Sequence, residues 1–114
     1  MEIRITTKNM AVTEGIKEWV HRKVSKLERY SPRLVESHVI LKKEKYLYVA
    51  ELTILGSHLR AFGKGSHKEN VYTAIDFAVD RVTKQLVKFR EKIKSHHQSK
   101  DKKRLRRELA IESE

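Results

Sequence analysis

Arg81, Lys84, Lys88 and Lys92 follow one another at intervals of three and four residues, the spacing that lines side chains along one flank of an α-helix. Projected at about 100° per residue from Lys84, the other three cations fall between roughly 40° and 80°, and most of the neighbouring apolar residues between roughly 120° and 220°. Asp76 and Asp80 project to roughly 280° and 320°, off that ridge. A row of fixed positive charge can follow a phosphate backbone, because each cation neutralises one phosphate and releases a condensed counterion. Basic residues in the last turns also favour the helix dipole. What sets this row apart is that no acid interrupts it on its own side.

An earlier segment adds two cations. Ile16, Trp19, Val20, Val24 and Leu27 form an apolar stripe at helical spacing. With Ile16 at zero, Lys23 projects to roughly 340°, inside the stripe, and Lys26 to roughly 280°, on its edge. A lysine so placed must run its aliphatic stem along the seam and surface at the end of it. Lys23 is therefore expected to emerge where two helices meet and to extend the ridge of Arg81, Lys84 and Lys88. Arg22 and Arg29 project farther towards solvent and are weaker candidates.

Other chemistry finds no support in the residue spacing. Six histidines are present, none at zinc-finger or zincin spacing, and there are no cysteines for thiolate sites or disulfides. Gly63-Lys64-Gly65-Ser66 lacks the spacing of a phosphate-binding loop and reads as a strand-to-helix connection. Glu14, Glu18, Glu28, Asp76 and Asp80 read as helix-surface acids. The expectation is a protein that is not an enzyme, with no cofactor, no metal and no small-molecule substrate.

The charge balance points to a polyanionic partner. The 114 residues carry a formal charge of +11, which by itself does not choose among RNA, DNA and anionic lipid. Residues 1–80 hold 14 Lys+Arg against 10 Asp+Glu, whereas residues 81–114 hold 12 against 5. The positive charge is concentrated towards the carboxyl end. No segment approaches the roughly 20 apolar residues of a membrane span, and the amino terminus has no signal-peptide pattern. A soluble, cytoplasmic protein without membrane contact is expected.

The elements that must position these cations follow from periodicity. Glu2–Thr6 alternates with period two, as a half-buried strand does. Thr13 can cap a helix that Ser31-Pro32 ends. Period two then returns. Val35, Ser37, Val39 and Leu41 share one strand face, Tyr48, Ala50, Leu52 and Ile54 the next, and Leu59–Phe62 forms a third, shorter run. Turns at Glu44-Lys45 and Gly56-Ser57 would make these an antiparallel meander. Asn70 can cap a last helix with an apolar stripe from Val71 to Ile93. The order is β-α-β-β-β-α, an α+β fold with both helices on one face of a four-stranded sheet. Residues 1–94 are expected to form the domain and residues 95–114 a basic flexible tail or linker.

Three stretches carry a family resemblance. Asn70-Val-Tyr-Thr-Ala-Ile-Asp76, Asp80-Arg-Val-Thr-Lys-Gln-Leu86 and Lys88-Phe-Arg-Glu-Lys-Ile-Lys94 resemble the second helix of the bacterial ribosome hibernation-promoting factors. That family includes the ribosome-associated inhibitor and light-repressed proteins. Thr13–Val20 and Lys23–Tyr30 resemble its first helix. The likeness spans about residues 1–94, with Asn70 where aspartate is usual and Val71 where methionine is. It implies a double-stranded-RNA-binding-domain-like fold and RNA contacts by Lys23, Lys26, Arg81, Lys84, Lys88, Arg90 and Lys92. Arg90 enters through the resemblance, since it projects to roughly 240°, on the other flank of the helix. Long members of the family continue into a second domain that pairs ribosomes, so this span is either a short member or a piece of a long one, and is expected to be monomeric.

The function implied is translation inhibition: binding to the small ribosomal subunit and its rRNA, across the messenger and transfer RNA sites, in stationary phase or stress. Two other readings compete with it. One is a generic double-stranded-RNA-binding module. The other is a transcription-linked modulator that acts by protein contact with a sigma factor.

Overall fold

The structure, a computed structural model, describes residues 1–31 and 33–98, with side chains described as far as Glu91. The chain runs β1 (Glu2–Lys8), α1 (Glu14–Ser25), a 3₁₀ turn (Lys26–Arg29), β2 (Leu34–Glu44), β3 (Leu47–Gly56), β4 (Leu59–His67) and α2 (Val71–Gln98). This is the expected α+β order. The four strands form one sheet in the order β1-β2-β3-β4. β1 pairs parallel to β2, because α1 carries the chain back across the sheet before β2 begins. The other pairs are antiparallel and joined by two-residue loops.

Local chemistry sets the element boundaries. The Thr13 hydroxyl accepts from the Ile16 amide at 3.1 Å and caps α1. The Asn70 side chain accepts from the Tyr72 amide at 2.8 Å and the Thr73 amide at 3.3 Å, capping α2. Just before it, His67 Nδ1 accepts from the Glu69 and Asn70 amides, fixing the corner between β4 and α2.

Four details differ from the sequence expectation. The hairpin loops are Lys45-Tyr46 and Ser57-His58, each one residue later than expected. In the second it is His58, at φ 67°, that takes the left-handed conformation. Gly56 has a different task, since a Cβ there would lie 2.7 Å from the Arg33 carbonyl. Val35 is 59% exposed, not buried. A bulge between Leu34 and Glu36 shifts the register and turns Leu34 inward in its place. β4 continues to His67, so Gly63–Ser66 is strand and not connection. Its inward positions are Ala61, Gly63 and Gly65, all buried beneath α2. α2 runs to Gln98, which places the boundary expected at residue 94 inside the helix. Of the tail expected over 95–114, residues 99–114 lie outside the described residues.

Both helices cover the same face of the sheet. Ile16, Val20, Val24 and Leu27 of α1 join Val71, Ala74, Ile75, Ala78, Val82 and Leu86 of α2 over Val39, Leu41, Ala50, Leu52 and Ile54. Each large side chain so buried contributes roughly 1.5–3 kcal/mol. Gly15 lies beside Tyr72, Trp19 beside Tyr72 and Asp76, and Tyr30 beside Arg90. The positions rise together along both helices, so α1 and α2 run in the same direction.

Candidate nucleic-acid interface

Parallel packing gives the helical layer a charge gradient. α1 begins with Glu14 and Glu18 and ends with Arg22 and Lys23, continued by Lys26 and Arg29 in the 3₁₀ turn. α2 carries Asp76 and Asp80 in its first half, then Arg81, Lys84, Lys88 and Arg90. Because the helices point the same way, their two basic halves lie at the same end. Antiparallel helices would have set each basic end against an acidic one.

The expected cations do not form one ridge. Lys23 does reach the seam, and its side chain is 30% exposed. There its ammonium lies 3.8 Å from Asp76 Oδ1 and 4.8 Å from the centre of the Trp19 ring. Asp76 also accepts from Trp19 Nε1 at 2.9 Å. Arg81 reaches across the other flank of α2, where its guanidinium donates to the Lys64 carbonyl on β4. Lys23 and Arg81 thus hold opposite sides of the helix, and the extension of the Arg81–Lys88 row by Lys23 is not what the fold makes. On the helical wheel the two flanks were separated by the apolar stripe on one side and by Asp76 and Asp80 on the other. Lys23 joins the acidic side because α1 packs there.

The remaining positions lie on the crest and on the α1 side. Lys84 is exposed and lies 3.5 Å from Asp80, one turn earlier. A pair this open adds little stability and leaves the ammonium available. Lys88 is exposed. Arg90 extends over Tyr30, 5.8 Å from the ring centre, and so joins the end of α1 to the later turns of α2. Below it a groove of about 500 Å³ runs between the helices, with Lys26, Arg29 and Tyr30 on one wall and Asp80 and Thr83 on the other. Among the described residues, no carboxylate lies within 4 Å of Lys26, Arg29, Lys88 or Arg90. The side chain of Lys92 lies outside the described ones.

Arg29 lines this groove, although a projection at about 100° per residue points it towards solvent. A 100° projection assumes α-helix throughout, whereas the chain tightens into a 3₁₀ turn at Lys26, with about 120° per residue. That winding swings Arg29 by roughly 60° towards the groove. The signal was present in Ser31-Pro32, which forces the helix to end. Among the described residues no three His, Cys, Asp or Glu side chains gather in a way that could hold a metal ion. No helix among them is long and apolar enough to cross a membrane.

Comparisons with known proteins agree with this architecture. The chain is 35% identical over 98 residues to the ribosome hibernation promoting factor of Escherichia coli strain K12, covering 84% of this chain and all of that one. It is 33% identical to the protein of the same name from Azotobacter vinelandii, covering 81% and 85% respectively. Among solved structures, the Thermus thermophilus Protein Y N-terminal domain superposes with a TM-score of 0.72 at 27% identity, covering 78% of this chain and 99% of that one. A ribosomal subunit interface protein from Coxiella burnetii superposes with a TM-score of 0.74 at 14% identity, a likeness of fold, covering 80% and 99%. Residues 3–94 match the family described as Sigma 54 modulation protein / S30EA ribosomal protein. The chain belongs to that family, the family of the ribosome hibernation promoting factors.

Proposed function

We propose that this protein is a cytoplasmic translation inhibitor that binds the small ribosomal subunit through rRNA phosphates. Bound there as a monomer, it occupies the space of messenger and transfer RNA and keeps ribosomes idle in stationary phase or stress. The observation that carries the reading is the meeting of two basic helix ends, with Lys26, Arg29, Lys88 and Arg90 free of carboxylate partners among the described residues. Relatives named ribosome hibernation promoting factor support the choice of a ribosomal partner. Phosphate contacts hold a protein in place without reading base sequence, and folded RNA is recognised largely by its shape.

Co-sedimentation with purified small subunits tests this. If about six phosphates are neutralised, the logarithm of affinity falls with that of salt at a slope near −4 to −5. The exposed double variant Lys84→Glu/Lys88→Glu should fold within about 0.5 kcal/mol of the parent and lose most of its association. An affinity indifferent to salt, or a double variant that pellets with subunits as the parent does, rejects the reading. Competition by transfer RNA is expected for a protein seated in the messenger channel and not for a generic duplex binder.

A further inference from the structure

Resting on the RNA-binding reading above, we propose that a corner between the amino-terminal halves of α1 and α2 seats one unpaired nucleobase of the bound strand. The corner is a cavity of about 510 Å³ lined by Gly15, Glu18, Trp19, Arg22 and Tyr72. The Trp19 and Tyr72 rings meet edge to face, 5.3 Å between centres and 83° between planes, and form two aromatic walls at a right angle. The Arg22 guanidinium lies 4.9 Å from the centre of the Trp19 ring.

The Trp19 wall is held in place before any ligand arrives. Trp19 is only half-buried, yet its Nε1 is tied to Asp76 at 2.9 Å and its ring lies against the Lys23 ammonium. Gly15 makes room for the second wall, since a Cβ at that position would come 2.9 Å from the Tyr72 hydroxyl.

The chemistry of the corner selects a base over other flat or charged ligands. Two cations already lie within 5 Å of the indole, so an ammonium ligand of the kind aromatic cages take would be repelled. An acidic peptide satisfies the cations and leaves the rings without a partner. A nucleotide in a strand supplies both parts: a π-face for the indole, phenol or the Arg22 guanidinium plane, and a flanking phosphate for Lys26. Bases displaced from a helix stack on aromatic rings and on arginine planes in this manner. The Glu18 carboxylate on the rim can accept from an exocyclic amine or ring N–H.

Trp19 is the only tryptophan of the chain, so its fluorescence reports on the corner directly. The test uses the whole protein and an end-labelled single-stranded RNA decamer, alongside a decamer of the same length and charge made wholly of abasic sites. Polarisation of the label measures binding and tryptophan emission measures stacking. The proposal expects the RNA to quench Trp19 by more than half at saturation and the abasic strand to bind about tenfold or more weakly. The exposed change Arg22→Gln should lower affinity for RNA several-fold while hardly moving affinity for the abasic strand. Tyr72→Leu, checked for folding by circular dichroism, should do the same. Equal binding of both strands without quenching overturns the nucleobase seat and leaves the phosphate reading standing. Equal quenching by free adenosine monophosphate at the same concentration overturns it in favour of a mononucleotide pocket. Failure of both strands to bind while the protein still sediments with small subunits overturns the seat alone, and loss of both overturns the RNA-binding reading with it.

Discussion

The Gln85 carboxamide pairs with the Phe62 peptide at two points: Oε1 accepts from the Phe62 amide at 2.9 Å, and Nε2 donates to the Phe62 carbonyl. One side chain of α2 thereby takes the place that a fifth strand would hold beside β4. Arg81, one turn earlier, serves the Lys64 carbonyl in the same way. An edge strand with open peptide groups is a template for unwanted pairing, and these two residues cover it at Phe62 and Lys64. Gln85→Ala should cost about 1 kcal/mol and increase self-association at high concentration. Urea unfolding and light scattering would read the two effects. A variant that matches the parent in both would show that the edge needs no cover.

α2 rests on the backbone of β4 without intervening side chains. A Cβ at Gly65 would lie 2.4 Å from the Ala74 carbonyl, and one at Gly63 would lie 2.5 Å from that of Ala78. Backbone cannot move aside as the end of a flexible side chain can. Gly65→Ala is therefore expected to destabilise by roughly 2–3 kcal/mol, in the range of core overpacking. The midpoint of urea unfolding measures this, and a shift below about 0.5 kcal/mol would mean that α2 slides freely on the sheet.

Ser37 is fully buried, and its hydroxyl has no hydrogen-bond partner. It sits in register between Ile3 and Ile54, on the face that the helices cover. An unmet buried hydroxyl carries a desolvation penalty that alanine does not. Ser37→Ala should be neutral or stabilising by up to about 1 kcal/mol, an unusual sign for a change in a strand core. Loss of stability on calorimetry would mean that the hydroxyl has a partner in solution.

Arg81 and Arg90 are nine residues apart on one helix and are expected to behave differently. Arg81 is engaged by β4, whereas Arg90 lies over Tyr30 with no carboxylate nearby among the described residues. Arg90→Gln should weaken binding to small subunits several-fold and reduce the salt slope by about one. Arg81→Gln should act mainly on stability, by about 1 kcal/mol, with affinity within about twofold. The reverse pattern in paired sedimentation and unfolding measurements would return Arg81 to the interface and remove Arg90 from it.

Periodicity and caps alone determined the order of elements, both helix starts and the face each helix buries. These depend on neighbours three or four residues apart, or two apart in a strand, and any fold of this chain must respect them. The local pattern did not reveal the bulge that exposes Val35, because a single inserted residue leaves the apolar composition unchanged. It also hid the strand within Gly63–Ser66, where glycines reflect the close approach of α2 and not a turn. The basic helices and most of the candidate cations were legible as residue types and angles. Which cations face one another was not, since a helical wheel has no knowledge of the partner that packs against it. Only the tertiary structure set α1 on the Asp76 side of α2, ran both helices in one direction and brought Arg90 to Tyr30. Charge convergence is a long-range property, decided by how helices pack on a shared sheet.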